Sequence, residues 1–382
     1  TSDVELSNIT FESNTAIDGH AIHVFDSCHS VTINGSTIRN NGLSKSAILI
    51  DKSSEAINQF EFNFNNNTVS YDQETKAARG LHIAARIKCT LFESNFIGCR
   101  SQELCAGVWY DQTGALTETI QLDTEMVVDG CLFEKCQSSN GQAMRLDALY
   151  TPIQLRNTIV RNHSVYYVMS ILYHANAPDN METNISGCIF ENNMFTDANV
   201  PDGGGAGMWI AYSNRQSNRD QSLIFDHCMF INNQIGTSGN KHGGGFACGI
   251  SQTLVPTTLR FDDCSFMRNS APDKGGALYI STNKPLYIRR CFFDSNSATE
   301  GSAICINRPE IDEEVLIEDC QFGRNEASTN AAVYISSKGN LTLNELQFAD
   351  NSANGVTNLY IAHVNNQPIL IKGCQFDYNS VH

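Results

Sequence analysis

The hydrophobic and polar positions of the chain follow one short pattern that recurs from end to end. Its clearest copy places apolar residues at Leu286 and Ile288 and continues with Cys291, Phe293 and Asn296. About thirteen such units follow one another, most at a spacing of roughly 26–31 residues. The Phe position, or its apolar substitute, falls at Phe11, Ile38, Val69, Phe96, Phe133, Val160, Phe190, Phe230, Phe266, Phe293, Phe322, Phe348 and Phe376. A repeat architecture therefore replaces the two or three globular domains that this length would otherwise suggest.

A second motif lies between one Phe-x-x-Asn segment and the next, and it predicts short strands. In Gly275–Ile280, two glycines and an alanine precede an alternation that puts Leu278 and Ile280 on one side and Tyr279 on the other. A period of two residues is typical of β-strands with one buried face. Related copies are Gly301–Ile306, Ala331–Ile335, Gly205–Ile210 and His20–Val24. The helical period of about 3.6 residues is not sustained anywhere over ten or more residues, so a helical repeat is not expected.

These repeated strands predict an all-β solenoid, a single right-handed parallel β-helix of about thirteen coils that occupies residues 1–382. If each unit is one coil, equivalent residues lie about 4.8 Å apart, so the Cys and Phe positions form internal columns. We expect Asn to occupy a turn of each coil, because it tolerates left-handed backbone and can hydrogen-bond its stacked neighbours. The internal Phe column is expected to contain Phe190, Phe230, Phe266, Phe293, Phe322, Phe348 and Phe376.

The Phe-x-x-Asn and Gly-Gly-Ala repeats resemble those of polymorphic outer membrane proteins, within the larger pectin-lyase-like group of right-handed β-helices. The resemblance covers nearly the whole chain, although Ile, Val or Ser replaces Phe or Cys in several N-terminal units. Members of that family are typically adhesins or surface proteins. The resemblance therefore implies a β-helix fold and a place outside the cell or on its surface.

Charge and composition narrow the range of partners. The formal net charge is −16 and the pI is about 5.0, and no basic patch is visible, so neither nucleic acid nor an anionic membrane surface is an expected partner. No apolar run approaches the ~18 residues of a transmembrane helix. Fourteen cysteines without a C-x-x-C pair favour an oxidising, extracellular compartment. We expect no cofactor; calcium is the one cation that the acidic composition would suit, although no loop has the spacing of a calcium site.

Enzymes share this fold, and three segments each resemble a piece of the polygalacturonase signature, namely Arg86–Lys88, Asp262–Cys264 and Gly19–His20. In that family the paired Asp precedes the His and the Arg–Lys motif follows, whereas here the order is reversed across many coils. Carboxylates that act on one glycosidic bond must lie within about 10 Å of each other. We therefore expect no catalytic residue, no metal ligand and no enzyme activity.

The cysteines have two interpretations. The repeated Cys188, Cys228, Cys264, Cys291 and Cys320 are expected in the core, because a buried thiol behaves as a small hydrophobe. Cys99 and Cys136 differ, because both replace the turn Asn in successive coils and should lie about 5 Å apart, within reach of a disulfide. This pair is the candidate disulfide.

Six N-glycosylation sequons make an N-linked glycan a candidate partner. Their number is close to what chance gives in a chain so rich in Asn, Ser and Thr, so they permit glycosylation without establishing it. The acceptor residues are Asn8, Asn34, Asn66, Asn162, Asn184 and Asn340.

Five aromatic residues fall on the outward side of the Gly-Gly-Ala strand, where a solvated strand would carry polar residues. An exposed aromatic stripe indicates a contact surface, and the alternative is that inserted loops cover the rings. Insertions are expected around residues 110–125, 196–205, 213–222 and 236–245, and the last three should stack on adjacent coils as a side bulge. The aromatic candidates for an interaction face are Trp109, Trp209, Tyr279, Tyr334 and Tyr360.

The leading functional hypothesis is a non-catalytic building block of a cell-surface fibre or appendage. The alternating apolar positions of the repeat are present in the first unit, at Val4 and Leu6, and in the last, at Ile369 and Ile371. We therefore expect other β-helical coils, from the same polypeptide or a neighbouring subunit, to pack end to end with these. The alternatives are a surface adhesin of the autotransporter-passenger kind that binds a protein or glycan, and a polysaccharide hydrolase or lyase.

Overall fold

The chain, described here from a computed structural model, is all-β in the part that the structure describes, and it winds as a right-handed parallel β-helix. This confirms the predicted fold class. None of the described residues belongs to a helix long and apolar enough to cross a membrane. The structure describes residues 2–13, 15–16, 20–24, 28–39, 42–43, 45–51, 60–72, 78–84, 87–101, 105–111, 125–138, 142–147, 152–165, 167–173, 180–196, 204–212, 221–236, 241–249, 257–363 and 367–381.

Three long parallel sheets form the walls of the helix, and we call them sheets 1, 2 and 3 in chain order. Each strand of sheet 1 pairs with the equivalent strand of the next coil, and thirteen such strands occur among the described residues. Inward apolar and outward residues alternate along them, so one face of the sheet contributes to the core. The strands of sheet 1 are Ser2–Ser7, Cys28–Asn34, Glu61–Asn65, Lys88–Phe92, Met126–Asp129, Ile153–Arg156, Met181–Ser186, Gln221–Asp226, Thr257–Asp262, Leu286–Arg289, Val315–Glu318, Leu341–Asn344 and Ile369–Lys372.

Sheet 2 follows sheet 1 after a two-residue turn and consists of three-residue strands, each with the repeated Phe or its substitute at the centre. Thirteen of them are seen in the described ranges. They are Thr10–Glu12, Thr37–Arg39, Thr68–Ser70, Asn95–Ile97, Leu132–Glu134, Ile159–Arg161, Ile189–Glu191, Met229–Ile231, Ser265–Met267, Phe292–Asp294, Gln321–Gly323, Gln347–Ala349 and Gln375–Asp377.

Sheet 3 contains the predicted Gly-Gly-Ala strands, and its twelve described strands close the first twelve coils. Its strands are Ile22–Val24, Ser46–Asp51, Arg79–Ala84, Cys105–Asp111, Gln142–Asp147, Tyr167–Tyr173, Met208–Tyr212, Phe246–Cys248, Leu278–Ile280, Ile304–Arg308, Val333–Ser337 and Leu359–His363. Short strands between sheets 2 and 3 pair in the same parallel manner. They are Thr15–Ala16, Gly42–Leu43, Arg100–Ser101, Gln137–Ser138, Ser164–Val165, Met194–Phe195, Gln234–Ile235, Ser297–Glu300, Glu326–Asn330, Ser352–Ala353 and Ser380–Val381.

The predicted Phe column runs through the core. Phe293 stacks on Phe266 and Phe322 with ring centroids 4.9 and 5.0 Å away. Along the seven predicted rings, successive centroids lie 4.7 to 5.0 Å apart, which is one coil per ring. Six of the seven rings are buried, whereas Phe376 in the last coil is 49% exposed. The column is therefore confirmed, and its exposed end lies in the last coil.

The turn between sheets 1 and 2 combines a left-handed residue with a buried thiol. Arg290 has a φ of 51° and Cys291 follows it. The Sγ of Cys291 donates to the carbonyl of Phe261 in the preceding coil at 3.5 Å. Ser94 occupies the same position in an N-terminal coil and donates to the carbonyl of Phe64 at 3.1 Å. The repeated thiols are core residues as predicted, and Ser94 makes the same hydrogen bond from this position. Leu346 occupies it in another coil, buried and without a donor, so burial is what the position requires.

The repeated Asn closes the turn after sheet 2 through its side chain. The left-handed residue is the one before it, because Ser295 has a φ of 54° while Asn296 is not among the residues with positive φ. The Nδ2 of Asn296 donates to the carbonyl of Phe266 at 2.9 Å and to Oδ1 of Asn325 at 3.0 Å. Its Oδ1 accepts the backbone N–H of Asn269 at 3.0 Å. The predicted ladder is confirmed, but the prediction that Asn itself takes the left-handed conformation is wrong.

His163 occupies this ladder position one coil before Asn193 and is almost fully buried. Its Nδ1 lies 3.0 Å from the carbonyl oxygen of Cys136, and its Nε2 lies 3.1 Å from that of Phe133. Both carbonyls favour the protonated ring, yet burial is the larger effect and lowers the pKa of His163 to about 4.

The buried imidazole should make stability depend on pH. An unfolded histidine titrates near pH 6.5, so between pH 6.5 and 4 the unfolded chain binds more protons than the folded one. The free energy of unfolding is expected to fall by up to about 3 kcal/mol as the pH drops through this window. The variant His163→Asn, which restores the ladder residue, should lose this part of the decrease. Urea unfolding of the unmodified chain and of His163→Asn at pH 7, 5.5 and 4 measures this decrease. An equal decrease in the two proteins would contradict the assignment of the pH dependence to His163.

Candidate functional site

The outward face of sheet 1 forms a cleft over five successive coils, with a volume of about 530 Å³. The alternation of the strands places Ile224, Arg260, Tyr287 and Leu316 in one register column that points away from the core. Glu182 lines the cleft at its N-terminal end. The cleft was not predicted, but its signal is present in the sequence, because three of the four positions in this outward column carry the apolar or aromatic residues Ile224, Tyr287 and Leu316, where polar ones are usual.

Polar contacts hold the centre of the cleft in place. The hydroxyl of Tyr287 donates to Oε2 of Glu314 at 3.2 Å, and the guanidinium of Arg289 lies 5.3 Å from the centroid of the Tyr287 ring. Partial burial and the neighbouring Glu314 raise the pKa of Tyr287, so this hydroxyl stays protonated and remains a donor. Arg260 forms an ion pair with the carboxylate of Asp262.

A buried arginine fixes two of the strands that floor the cleft. Arg308, 1% exposed, donates from Nη1 to the carbonyl of Lys284 at 2.6 Å and from Nη2 to those of Glu313 and Glu314 at 2.7 and 2.8 Å. Lys284 and Glu314 precede adjacent strands of sheet 1. Burial lowers the pKa of Arg308 to about 10, so the guanidinium stays charged at neutral pH. The buried Arg308 therefore fixes the backbone of Glu314, and with it the position of this residue in the cleft.

The five aromatic candidates share one outward column of sheet 3, as predicted. Their exposure differs from the expectation. Tyr279 is 1% exposed because the ring of His242 stacks on it at 4.3 Å between centroids, while Tyr360 is 36% exposed. Trp109, Trp209 and Tyr334 are half-buried. The expectation of an exposed stripe is therefore wrong at Tyr279, where the alternative of a covering segment is confirmed.

Trp109 is held in a polar cluster on the same face. Its Nε1 donates to Oδ2 of Asp147 at 3.1 Å, and the ring of His82 stacks on it at 4.3 Å between centroids. The guanidinium of Arg79, which is 2% exposed, lies 4.7 Å from the ring centroid. Burial raises the pKa of Asp147 even though Arg145 pairs with it. These contacts favour a structural role for Trp109, and its part in an interaction face stays a prediction.

The predicted insertions lie mostly outside the described residues, which omit 112–124, 197–203, 213–220 and 237–240. The described ends of the insertions at 196–205 and 236–245 stack on adjacent coils as predicted, whereas the insertion at 213–222 leads into the sheet 1 strand Gln221–Asp226 and lies at a different turn. Gly204 forms a parallel bridge with His242, His242 with Lys274, and Lys274 with Glu300. The segment that carries His242 is therefore one cover of the sheet 3 aromatics.

The segments that resemble polygalacturonase do not come together. Arg86 and Gly19 lie outside the described residues. Lys88 pairs with Glu61 on sheet 1, five coils before Asp262, a separation of about 24 Å along the axis. Asp263 lies at the turn, where two hydrogen bonds from Arg290 Nε and Nη2, at 3.0 and 2.8 Å, lower its pKa. Among the described residues of these three segments, the structure therefore does not place an acid, a base and a cation together in one groove.

One group near this turn has the donor types of a metal site. Single ligand atoms of Asp226, His227 and Asp263 all lie within 4.8 Å of one another. Nδ1 of His227 lies 2.9 Å from Asp226 Oδ1, and this carboxylate raises the pKa of His227. Because Arg290 already neutralises Asp263, the group is better described as a surface charge network.

The candidate disulfide is not formed in the structure. Cys99 and Cys136 lie on adjacent coils and are both buried, and every cysteine whose side chain is described is a free thiol. The Sγ of Cys136 donates to the carbonyl of Phe96 at 3.4 Å. Burial and the neighbouring thiol raise the pKa of Cys99 well above its ordinary value. Since disulfide exchange proceeds through the thiolate, the raised pKa makes the Cys99 thiol slow to react.

The sequon residues all lie on the outer surface. Five of them are exposed, and Asn184 is half-buried within the sheet 1 strand Met181–Ser186. Asn184 pairs in register with Ile224, so it continues the outward column of the cleft by one coil. The exposed acceptors are Asn8, Asn34, Asn66, Asn162 and Asn340.

No protein-family model, curated protein or solved structure matches this chain. The features of the molecule that bear on its function are therefore the fold and the outward faces of sheets 1 and 3.

Proposed function

We propose that this chain is a non-catalytic structural element of an extracellular surface, whose β-helix packs end to end with other β-helical coils. The observation that carries the proposal is the unbroken stack of parallel strands, thirteen in sheet 1 and thirteen in sheet 2 among the described residues, around one continuous apolar core. Ile369, Ile371 and Phe376 are 42%, 47% and 49% exposed, although their column neighbours one coil earlier are 0 to 1% exposed. An uncovered coil presents unpaired strand edges together with a cross-section of the core.

The first coil offers a matching surface. Val4 and Leu6 begin the same core columns that end at Ile369 and Ile371, and Val4 is 38% exposed. Phe11 begins the column that ends at Phe376. Placing one copy on the next would therefore extend each column by one residue. Such a head-to-tail contact is heterologous and propagates as a filament unless its rotation closes a ring.

One like-charge pair would oppose this contact. Glu12 in the first coil and Asp377 in the last share an outward column of sheet 2, so stacking places the two carboxylates about 5 Å apart. Their repulsion is screened by salt. Association is therefore expected to strengthen as ionic strength rises.

The assembly is tested by analytical ultracentrifugation and electron microscopy of the purified chain. We expect the mass to increase with protein concentration and with salt, and end-to-end rods to appear. Ile371→Lys should keep the chain monomeric, because it places a charge on the apolar end. Ile159→Lys, a change of the same kind at an outward, half-buried position in the middle of the rod, should associate as the unmodified chain does.

A monodisperse monomer at high concentration, with both terminal coils protected from hydrogen exchange, would contradict the proposal. Equal association by the Ile371→Lys variant would contradict the proposed interface.

A surface adhesin is the second candidate, and the cleft on sheet 1 is the observation that favours it. An adhesin role also agrees with the resemblance of the repeats to those of polymorphic outer membrane proteins and the pectin-lyase-like group. The wide separation of Lys88 from Asp262 supports a non-catalytic role over a polysaccharide hydrolase or lyase. Extracellular placement accords with the outward position of all six sequon residues.

A further inference from the structure

We infer that Tyr334 and Tyr360 form a site of oxidative cross-linking, at which hydrogen peroxide and a haem peroxidase join the two rings as dityrosine. Both residues lie in one chain and point outward from sheet 3, so the reaction needs neither a second copy nor the cleft on sheet 1. It therefore goes beyond end-to-end assembly. The inference rests on the alignment of the two rings, on their exposure and on the chemistry of their neighbours.

The register of sheet 3 aligns the two rings. Tyr334 and Tyr360 are direct partners in the adjacent strands Val333–Ser337 and Leu359–His363. Their ring centroids lie 5.0 Å apart, and the angle between the ring planes is 9°. Phenoxyl radicals couple through the carbons next to the C–O carbon, and two reactants that are held side by side react at a high effective concentration. The carbons that have to join are therefore neighbours before any oxidation takes place.

Exposure lets an oxidant reach this pair and gives the rings room to turn toward each other. Tyr360 is 36% exposed and belongs to the last strand of sheet 3 in the described part of the chain. Tyr334 is half-buried one coil earlier. Tyr110 and Tyr279 of the same sheet are at most 1% exposed and do not offer this access.

The neighbours of Tyr334 favour its coupling to Tyr360 over competing reactions. Cys305 lies on the other side of Tyr334 in the same column and is fully buried. Burial raises the pKa of this thiol, so it is not present as the thiolate that peroxide oxidises. The ammonium group of Lys274 lies 5.6 Å from the centroid of the Tyr334 ring and pairs with Glu300 at 2.7 Å, which restrains the ring beside its partner.

The reaction consumes one hydrogen peroxide for each cross-link. Each tyrosine gives up one electron and its phenolic proton and becomes a neutral phenoxyl radical. The two radicals form one Cε–Cε bond, and the hydrogen on each of these carbons then passes to the phenolic oxygen. The pair has lost two hydrogen atoms in all, and these reduce the peroxide to two molecules of water.

The cross-link joins the eleventh coil to the twelfth, next to the exposed last coil. Each coil of a solenoid is held only by its neighbours, so opening begins at an uncovered end. A covalent bond between Tyr334 and Tyr360 closes the intervening chain into a loop and opposes the separation of these two coils. We therefore expect it to slow amide hydrogen exchange in Leu359–His363 by about tenfold or more.

The purified chain, kept dilute and treated with hydrogen peroxide and a haem peroxidase, tests the site. We expect the blue fluorescence of dityrosine in a chain that still runs as a monomer on a denaturing gel. Mass spectrometry of the digested chain should find the Tyr334 and Tyr360 peptides linked and lighter by two hydrogen atoms. Tyr360→Phe should abolish this linked pair. Tyr378→Phe removes an 89% exposed tyrosine of the last coil and should leave its yield unchanged.

Hydrogen exchange separates the effect of the bond from that of the oxidant. Exchange in Leu359–His363 should slow in the cross-linked chain but not in Tyr360→Phe after the same treatment, and both proteins are first shown by circular dichroism to be folded. The inference is overturned if the treated chain contains no linked Tyr334 and Tyr360 peptides, or if the chain unfolded in urea gives them in equal yield. Unchanged exchange in the cross-linked chain would contradict the restraint of the last coils.

Discussion

Replacing Phe293 by alanine is expected to lower the free energy of unfolding by about 3–5 kcal/mol. The ring is fully buried between Phe266 and Phe322, with centroids 4.9 and 5.0 Å away. The truncation removes the transfer free energy of the ring and leaves a cavity between two rigid coils that cannot close over it. Urea unfolding followed by circular dichroism measures the loss.

The chain contains its own control in the adjacent residue. Phe292 precedes Phe293 in the same strand of sheet 2 and points outward, where it is half-buried. Phe292→Ala makes the same chemical change on the opposite face and should cost about 1 kcal/mol or less. Equal losses for the two variants would contradict the alternation of faces on which the fold is built.

Replacing Asn296 by aspartate is expected to destabilise the chain by about 3–5 kcal/mol at neutral pH. The change is almost isosteric, so packing is preserved. It removes the Nδ2 that donates to the carbonyl of Phe266 and to Oδ1 of Asn325, and it brings a buried charge against those two oxygens. Because burial raises the pKa of such a carboxyl, stability should recover in part as the pH falls and the aspartate becomes protonated.

The end of the same ladder supplies the control. Asn379 donates to the carbonyl of Phe348 at 3.0 Å but is only partly buried, and among the described residues no further coil follows it. Asn379→Asp should therefore cost much less than Asn296→Asp, because water can solvate the charge. Unfolding of both variants in urea at pH 7 and pH 4 makes the comparison, and similar losses would refute a ladder that depends on burial.

Some departures from sequence expectation come from contacts between coils. The turn Asn was expected to adopt left-handed backbone, yet Ser295 does so and Asn296 is selected for its side-chain bonds to Asn269 and Asn325. A single unit of the repeat contains both residues and cannot show which one has the positive φ. His163 can replace Asn in the ladder although it has no side-chain amide, because its two ring nitrogens reach two carbonyl oxygens.

The sequence by itself determined the parallel β-helix, its inward Phe and Cys columns and the outward position of the aromatic residues. Alternation with a period of two and a repeat of one coil are sufficient for this, because each coil contacts only its neighbours. Only the tertiary structure decided that Tyr279 is covered by His242, that the Cys99 and Cys136 thiols are free, and that five coils of sheet 1 form a cleft. These features depend on residues far apart in the chain and on the burial of particular atoms, and a local pattern contains neither.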